Sequence, residues 1–301
     1  MKKWSLLLGL LAIISYAEAQ VLRVATYQYS TNDRIGNLTP LAKHLETQLN
    51  MPVTVKSYPT VQAFIEGLQN NEVDLGFINT FGYLLLRTSS TASPMKAAAA
   101  WSVPDGSQDV YKSCFVIPKS KKINWDDLGA NSAELRLALV FAGSTSGNLV
   151  PRLMLTSRGI DTPESAFKSV SYAGTHQAAV EWVAGGKADI AAMGQDAFRK
   201  TLAASKEMND QVMELNVSPE IPLGPALLNQ NLATGLREKI IKALIELHLN
   251  SPDAMEGIRS GWTEARKATH FEQISPDHYE PFLQQFGRPA AVAAILAQFA
   301  N

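Results

Sequence analysis

Strand-like and helix-like hydrophobic patterns alternate along the first quarter of the chain. Clusters of β-branched and apolar residues predict strands at 21–26, 53–55 and 73–78. Two apolar stripes with helical spacing lie between them: Leu41, Leu45 and Leu49, and then Val61, Phe64, Ile65 and Leu68. Thr39 and Pro40 are typical of an N-cap and a first helical position, and predict that the first helix begins there. Strands alternating with helices of this length indicate parallel βαβ units.

The same alternation returns in the middle of the chain. It predicts strands at 135–141, 169–172 and 188–193, and helices at 149–157 and 176–184. Residues 64–76 can be laid over residues 180–191, since each has an amphipathic helix, a polar turn and a strand that begins with x-Asp-Leu/Ile. Two similar α/β halves predict two lobes facing a cleft. Chance similarity of generic βαβ units is the alternative.

Two stretches are typical of connections between such lobes. One is the loop at 103–108, which leads into a strand at 111–117. The other is 218–225, where three prolines forbid a helix and favour extended chain. A long helix at about 236–249 and a helical C-terminus follow. We therefore predict that lobe 1 comprises residues 20–110 plus 222–301, and that lobe 2 comprises residues 111–221.

The first 19 residues have the layout of a secretory signal peptide. Lys2 and Lys3 precede an apolar run at 4–14, and Ala17-Glu18-Ala19 forms an A-x-A cleavage site. This run is shorter than the ~20 residues that cross a hydrocarbon core. An uncleaved anchor and a buried first helix are the alternatives. We expect an exported chain that starts near Gln20, with no lipid attached because no cysteine follows the cut.

Composition and charge narrow the class of protein. A hydrophobic content of 46% over 301 residues suits a folded chain of about two lobes. The net charge of -1 argues against a general nucleic-acid binder, which normally has a basic face. Cys114 is the single cysteine, so the chain has no internal disulfide. We predict that this thiol is buried in the core; binding of a soft, thiophilic ligand such as arsenite is the alternative.

The main chemical signal is the pentapeptide Gly-Ser-Thr-Ser-Gly at 143–147, called here the serine loop. It lies between a predicted strand and a predicted helix, where free backbone N–H groups and the helix dipole favour an anion. Ser144, Thr145 and Ser146 add three hydroxyls that could surround a tetrahedral group. Simple N-capping is the alternative, but one hydroxyl would suffice for that.

The serine loop does not match other familiar motifs. A P-loop needs lysine after the second glycine, where this chain has Asn148, and a nucleophile elbow needs serine where it has Thr145. The chain contains no G-x-G-x-x-G sequence, so a dinucleotide fold is unsupported. We therefore expect no cofactor. We also expect no metal, because the five histidines show no metal-binding spacing.

Two further candidates lie near helix starts. His176 follows a predicted strand; its ring could donate to an anion oxygen, and we expect an oxyanion to favour its charged form. Asp196 follows another strand, and ligands of open α/β sheets bind beyond the carboxyl ends of strands. It could accept from a protonated ligand oxygen or an amine. Capping of its own helix is the alternative for each residue.

Three more polar residues are candidates by position. Tyr111 lies in the predicted connection between lobes and could bring its phenol to the ligand; a core tyrosine is the alternative. Asn79 and Thr80 end a predicted strand and could present polar groups from lobe 1. As turn residues, Asn79 and Thr80 would also be unremarkable.

These motifs resemble the phosphonate, phosphite and phosphate-type (PhnD-like) substrate-binding proteins of ABC importers. The resemblance runs over nearly the whole mature length, and its most specific part is the block Ser-Thr-Ser-Gly-x-Leu-Val-Pro at 144–151. The other matching segments are 40–46, 71–77, 173–176 and 218–225.

The resemblance implies an α/β protein with the type II periplasmic-binding-protein fold. Each of its two lobes would hold a mostly parallel sheet flanked by helices, joined by two crossovers. In the family the matching loop holds the phosphorus oxyanion, helped by a histidine, a tyrosine and an acid. Those roles carry over to Ser144, Thr145, Ser146, His176, Tyr111 and Asp196. We expect a monomer in the periplasm that delivers a small oxyanion to an ABC permease.

Two positions depart from the family pattern. A member that takes an amino-phosphonate has an aspartate at the position of Gly224 and a tyrosine near Val61, and this chain has neither. A neutral or small oxyanion is therefore a better expectation than an amino-phosphonate.

Two other functions are compatible with the sequence. The protein could present its ligand, arsenite included, to a sensor kinase or chemoreceptor, and nothing in the sequence separates that role from import. A hydrolase is the third hypothesis, because Ser144, His176 and Asp196 follow the order of a Ser-His-Asp triad. Triads are recognised by geometry rather than by order, so this signal is weak.

Overall fold

The computed structural model describes residues 20–30, 32–104, 107, 110–286 and 289–299; the predicted signal peptide lies outside these residues. The strands are β1 Leu22–Tyr27, β2 Val53–Tyr58, β3 Leu75–Phe77, β4 Met95–Ser102, β5 Ser113–Pro118, β6 Arg136–Leu139, β7 Ser169–Tyr172, β8 Ile190–Gly194, β9 Val212–Val217, β10 Ala226–Asn229 and β11 His270–Gln273.

The helices surround these strands. They are α1 Arg34–Leu49, α2 Val61–Gln69, α3 Thr80–Thr88, α4 Leu128–Asn131, α5 Val150–Thr156, α6 Pro163–Ala166, α7 His176–Ala184, α8 Gln195–Ala204, α9 Lys206–Gln211, α10 Thr234–Ile245, α11 Leu247–Asn250, α12 Pro252–Gly261, α13 Glu280–Gln284 and α14 Pro289–Ala297. Single 3₁₀ turns lie at Ser132–Glu134 and Thr263–Ala265, and a π-helical turn at Thr145–Leu149. Within the described ranges, no helix is long and apolar enough to cross a bilayer.

The strands form two sheets, in the orders β11-β4-β10-β3-β1-β2 and β7-β6-β8-β5-β9. The chain passes from the first sheet to the second between β4 and β5, and returns between β9 and β10. Helices flank both sheets, so the predicted α/β class with two lobes is confirmed.

The sheets are mixed rather than mostly parallel, which corrects the prediction. Strand β1 runs parallel to β2 and β3, but β10 is antiparallel to β3 and β4. In the second sheet β6 is parallel to β7 and β8, whereas β5 is antiparallel to β8 and β9. Successive parallel strands are joined by a crossover connection that stays within one sheet. Strands β5 and β10 are instead reached by the two connections between the sheets, and both run antiparallel to their neighbours.

The internal repeat extends to the same ion pair in each sheet. In the first sheet, the Asp74 carboxylate accepts hydrogen bonds from the backbone N, Nε and Nη2 of Arg23. In the second sheet, Asp189 accepts from the same three atoms of Arg136. A shared three-bond contact favours structurally equivalent halves over chance similarity.

Helix α1 begins at Arg34, so the predicted start at Thr39 was wrong. The Asp33 side chain caps the helix by accepting from Gly36 N at 2.9 Å. Pro40 therefore lies inside α1. The helix continues through it because the face containing Leu38 and Leu41 is fully buried in the core of the first lobe.

The π-helical turn occupies most of the serine loop. Leu149 N donates to Ser144 O at 3.0 Å, which is a five-residue spacing. Pro151 has no N–H, so it cannot bond to the carbonyl of Gly147. That carbonyl instead accepts from Val140 N at 2.9 Å, which ties the loop to the end of β6. The helix predicted from 149 thus begins with a wider turn.

The C-terminal helices pack on both lobes. Val292, Ile295 and Leu296 of α14 join the buried cluster that contains α3 together with Leu149 and Leu153. Helix α14 thus contacts α3 and α5, on opposite sides of the division between the sheets.

Candidate functional site

A cavity of about 220 Å³ lies between the two lobes. Its second-lobe wall consists of the serine loop, His176 and the start of α8. The first-lobe wall consists of Tyr27, Tyr29, Arg34, Asn79 and the segment 263–266, and Tyr111 completes the lining. Because β1, β3, β6 and β8 all end at this cavity, it lies where ligands bind in open α/β sheets.

The three hydroxyls of the serine loop have different surroundings. Ser144 Oγ accepts from Gly147 N at 3.0 Å, which is the capping bond that the sequence offered as an alternative. Thr145 Oγ1 accepts from Phe81 N of the other lobe at 3.1 Å. Ser146 has its side chain beside the Tyr111 phenol. Only Ser144 therefore acts as a cap, and all three residues line the cavity.

His176 carries its proton on Nε2. Gly194 N donates to Nδ1 of His176 at 3.0 Å, so Nδ1 is an acceptor and the ring is neutral. Burial lowers the pKa of His176 to about 4. The desolvated site and the backbone donor both favour the neutral form over the expected charged one. Thr175, not His176, caps α7. Within the described ranges no residue accepts from Nε2–H, which can therefore serve as a neutral donor.

Two tyrosines at the cavity remain protonated phenols. Tyr111 lies beside the side chains of Ser146 and Thr145, and burial raises its pKa well above the usual range. Burial also raises the pKa of Tyr29 to about 12. The Tyr29 ring lies 5.4 Å from the Phe141 ring and 6.5 Å from the His176 ring, measured between centroids. Both phenols therefore keep their protons at neutral pH and can donate hydrogen bonds there.

The two polar residues before and at the start of α3 differ in position. Asn79 lines the cavity; its Nδ2 donates to Gly143 O at 2.8 Å and its Oδ1 caps α3 by accepting from Gly82 N. Thr80 is 1% exposed, and its hydroxyl donates to Pro222 O at 2.6 Å. Thr80 is not part of the cavity lining.

Asp196 lies in the first turn of α8 and lines the cavity. Its carboxylate pairs with Lys200 one turn later, and about two-fifths of each side chain is exposed. Helix α8 begins at Gln195 without a side-chain capping bond, so Asp196 is not a cap. It is a partly solvated acid at the cavity edge.

The sequence reasoning missed most of the first-lobe wall. Tyr27 and Tyr29 lie at and just beyond the end of β1, a position that could have identified them. Arg34 was not recognised because the predicted start of α1, at Thr39, placed it outside the helix. Glu264 lies in the short 3₁₀ turn at Thr263–Ala265, which has no sequence signal, and burial raises the pKa of its carboxyl above the usual range.

The two positions that depart from the family pattern lie outside the cavity lining. A Cβ atom at Gly224 would lie 2.0 Å from Ile78 O, so no side chain fits there without a backbone shift. Val61 is 6% exposed, and a Cβ atom added at Gly143 would lie 3.0 Å from its Cγ2. The acids near this cavity are Asp196 and Glu264 instead.

Cys114 is fully buried in the second-lobe core, as predicted. Burial raises the pKa of this thiol well above its usual range, and it does not line the cavity. In the described part of the chain, no group of three or more His, Cys, Asp or Glu side chains could hold a metal ion.

The sequence profile of the family described as "ABC transporter, phosphonate, periplasmic substrate-binding protein" matches residues 26–279. The chain belongs to this family. The resemblance carried by the serine loop and its companion motifs is thereby confirmed. Members of this family are periplasmic substrate-binding proteins of ABC transporters rather than enzymes, and an ABC permease is their membrane partner.

Three solved structures share the fold. One is a binding protein component of an ABC phosphonate transporter from Pseudomonas aeruginosa, with 19% identity, a TM-score of 0.68, and coverage of 94% of this chain and 87% of that chain. Another is PhnD1 from Prochlorococcus marinus in complex with methylphosphonate, with 18% identity, a TM-score of 0.66 and coverage of 90% and 98%. A third, XAC2383 from Xanthomonas citri bound to chloride, has 17% identity, a TM-score of 0.74 and coverage of 92% and 99%.

The site geometry gives no support to the hydrolase hypothesis. In a Ser-His-Asp triad the acid holds the histidine and the histidine activates the serine. In this substrate-binding protein, Asp196 pairs with Lys200, and His176 Nδ1 accepts from Gly194 N. The nitrogen that an orienting acid would hold is therefore already occupied.

Proposed function

We propose that the protein captures a small phosphorus oxyanion, of the phosphonate, phosphite or phosphate type, and delivers it to an ABC importer. The main observation is the cavity between the lobes, where donors from the serine loop, Tyr111 and His176 converge. Such a group of neutral donors suits an anion with several acceptor oxygens and offers no activated nucleophile. The ligand would be bound and released unchanged.

The size of the cavity supports a small ligand. Pockets for drug-sized molecules typically enclose roughly 300–1,000 Å³, whereas this one has about 220 Å³. Phosphate, phosphite and methylphosphonate, with about four or five non-hydrogen atoms, are suitable in size.

Each lining residue has a distinct proposed role. The hydroxyls of Ser146 and Tyr111 and the Nε2–H of His176 donate to the oxyanion. Ser144 and Thr145 shape the loop as well as facing the ligand, and Asn79 holds the other lobe against it. Asp196 accepts from a ligand hydroxyl or amine at the cavity edge. We do not assign a ligand contact to Thr80, whose hydroxyl bonds to Pro222 O.

A thermal-shift screen tests the proposal. The ligands are phosphate, phosphite, methylphosphonate, aminoethylphosphonate, sulfate and arsenite. A ligand at ~100 times its dissociation constant stabilises the folded state by roughly 2.7 kcal/mol, a readily measured shift. We expect the largest shift from one of the phosphorus compounds. A shift with sulfate or arsenite alone would contradict the proposed ligand class.

A further inference from the structure

Arg34 is a buried cation with unused donors in the cavity wall. The residue is 3% exposed and lines the cavity from the first turn of α1. Its guanidinium carbon lies 4.1 Å from the centroid of the Trp262 ring and 4.6 Å from that of the Tyr27 ring. Its Nε and Nη1 atoms are buried, and neither has a hydrogen-bond partner in the described chain.

An arrangement of this kind is costly in the free protein. Buried charges are normally paired, because removing an ion from water costs several kcal/mol. Within the described residues, no carboxylate lies within ion-pair distance of Arg34. Contact with aromatic rings holds a guanidinium in place, but it leaves the Nε and Nη1 donors of Arg34 without acceptors in the described chain.

Neither acid of the cavity lining, Asp196 nor Glu264, forms an ion pair with Arg34. Asp196 pairs with Lys200 at the opposite wall. Glu264 lies near Arg34, but burial raises the pKa of its carboxyl and so favours the neutral form. The cavity therefore has a cation in its first-lobe wall whose charge is not matched by a bonded acid.

The second-lobe wall has many hydrogen-bond donors but lacks a positive charge. Its donors are hydroxyls, a phenol and a neutral imidazole, which supply hydrogen bonds but no net charge. Among the other cations at the cavity, Lys200 is paired with Asp196 and Arg266 is exposed to solvent. Tyr29 lies near both Arg34 and His176: its ring centroid is 6.0 Å from the Arg34 guanidinium carbon and 6.5 Å from the His176 ring centroid.

We infer that Arg34 binds the ligand and supplies the positive charge that compensates the captured oxyanion. The serine loop, Tyr111 and His176 then fix the geometry of the oxygens, while Arg34 selects for negative charge. This inference deepens the proposed function and rests on the same cavity. It predicts a preference for doubly charged over singly charged tetrahedral ligands.

Calorimetry at pH 8 tests the inference with methylphosphonate, its singly charged methyl monoester and sulfate. We expect Arg34→Gln and Arg34→Met to bind methylphosphonate or sulfate at least tenfold more weakly, and Arg34→Lys, which keeps the charge, to be intermediate. The preference for the double charge should shrink in the two neutral variants. Arg237→Gln is the matched control, since Arg237 also has a buried, unpartnered Nε but lies on α10 outside the cavity lining. Wild-type affinity for sulfate or methylphosphonate in Arg34→Gln would overturn the inference.

Melting temperatures without ligand give a second, independent readout. If Arg34 serves to bind the charge of the ligand, its buried and unpaired guanidinium should lower the stability of the free protein. Arg34→Met should therefore melt at a temperature no lower than that of the wild type. A large fall in the melting temperature of Arg34→Met would show that the arginine serves the fold, and would overturn the inference even if no ligand bound. Failure of the wild type to bind any phosphorus oxyanion would instead overturn the proposed function.

Discussion

The side-chain amide of Asn79 donates a 2.8 Å hydrogen bond to the backbone carbonyl of Gly143, and so joins the first lobe to the serine loop of the second. A second bond runs from Phe81 N to Thr145 Oγ1 at 3.1 Å. Both connect the start of α3 with the loop that forms the opposite cavity wall. The contacts that close the lobes are thus built from the residues proposed to surround the ligand.

Thr145→Val should loosen this closure. The substitution keeps the shape but leaves the Phe81 N–H without its acceptor, at a cost of about 1–3 kcal/mol to the closed form. We expect weaker ligand binding and a larger radius of gyration of the free protein, because a less populated closed state lowers the apparent affinity. Calorimetry and small-angle X-ray scattering measure the two effects. Thr145→Ser retains the hydroxyl and is the control. Equal ligand affinity and equal radius of gyration in the valine and serine variants would show that the hydrogen bond between Phe81 and Thr145 does not hold the lobes together.

Ser144→Ala and Ser146→Ala should separate stability from binding. Ser144 caps the helix, so its loss should destabilise the protein by about 1 kcal/mol. Ser146 is proposed to donate to the oxyanion, and a hydrogen bond to a charged group is worth about 1.5–3 kcal/mol, or roughly 10- to 150-fold in affinity. Denaturant melts and calorimetry measure the two quantities. Ligand affinity unchanged in Ser146→Ala would show that the loop is structural there.

His176 should make the free energy of unfolding depend on pH in the acid range, while the ligand affinity stays constant with pH. Its folded-state pKa of about 4 lies below the ordinary value of 6.5, so the unfolded chain binds a proton that the folded chain does not. Stability should therefore fall as pH drops from about 6.5 to about 4, by about 3 kcal/mol in total. His176→Gln should remove that part of the slope in denaturant melts.

Sulfate binding provides the complementary measurement for His176, because the charge of sulfate does not change in this range. We expect constant affinity between pH 5 and 8, since the neutral ring donates through Nε2–H throughout. An affinity that rises towards pH 5 in the wild type but not in His176→Gln would mean that the imidazolium is the donor.

Cys114 should be chemically inert in the folded protein. The thiol is fully buried and its pKa is raised, so the reactive thiolate is scarce. We expect no reaction with a thiol reagent such as DTNB until the chain unfolds, and unchanged oxyanion affinity in Cys114→Ser. Loss of binding in that variant, with an unchanged melting temperature, would instead favour a thiophilic ligand.

Local sequence patterns determined much of the architecture. The predicted strand at 169–172 and helix at 176–184 match β7 and α7, and the helix buries the apolar face formed by Ala179, Val180 and Val183. The burial of Cys114 was predictable because its neighbours in the strand are apolar. The serine loop was identifiable because three adjacent hydroxyls between a strand and a helix exceed what a cap requires.

Tertiary structure alone decided which atoms of these residues are free. Whether His176 is charged depends on Gly194 N, eighteen positions away in sequence, and on burial by both lobes. The role of Arg34 depends on Trp262, which approaches it only when α12 packs along α1. Periodicity reports the faces that elements bury, but charge states and unpaired donors arise from contacts between segments far apart in the chain. The sequence therefore determined the lobes and the loop, and the packing of segments that are far apart in the chain decided the chemistry of the site.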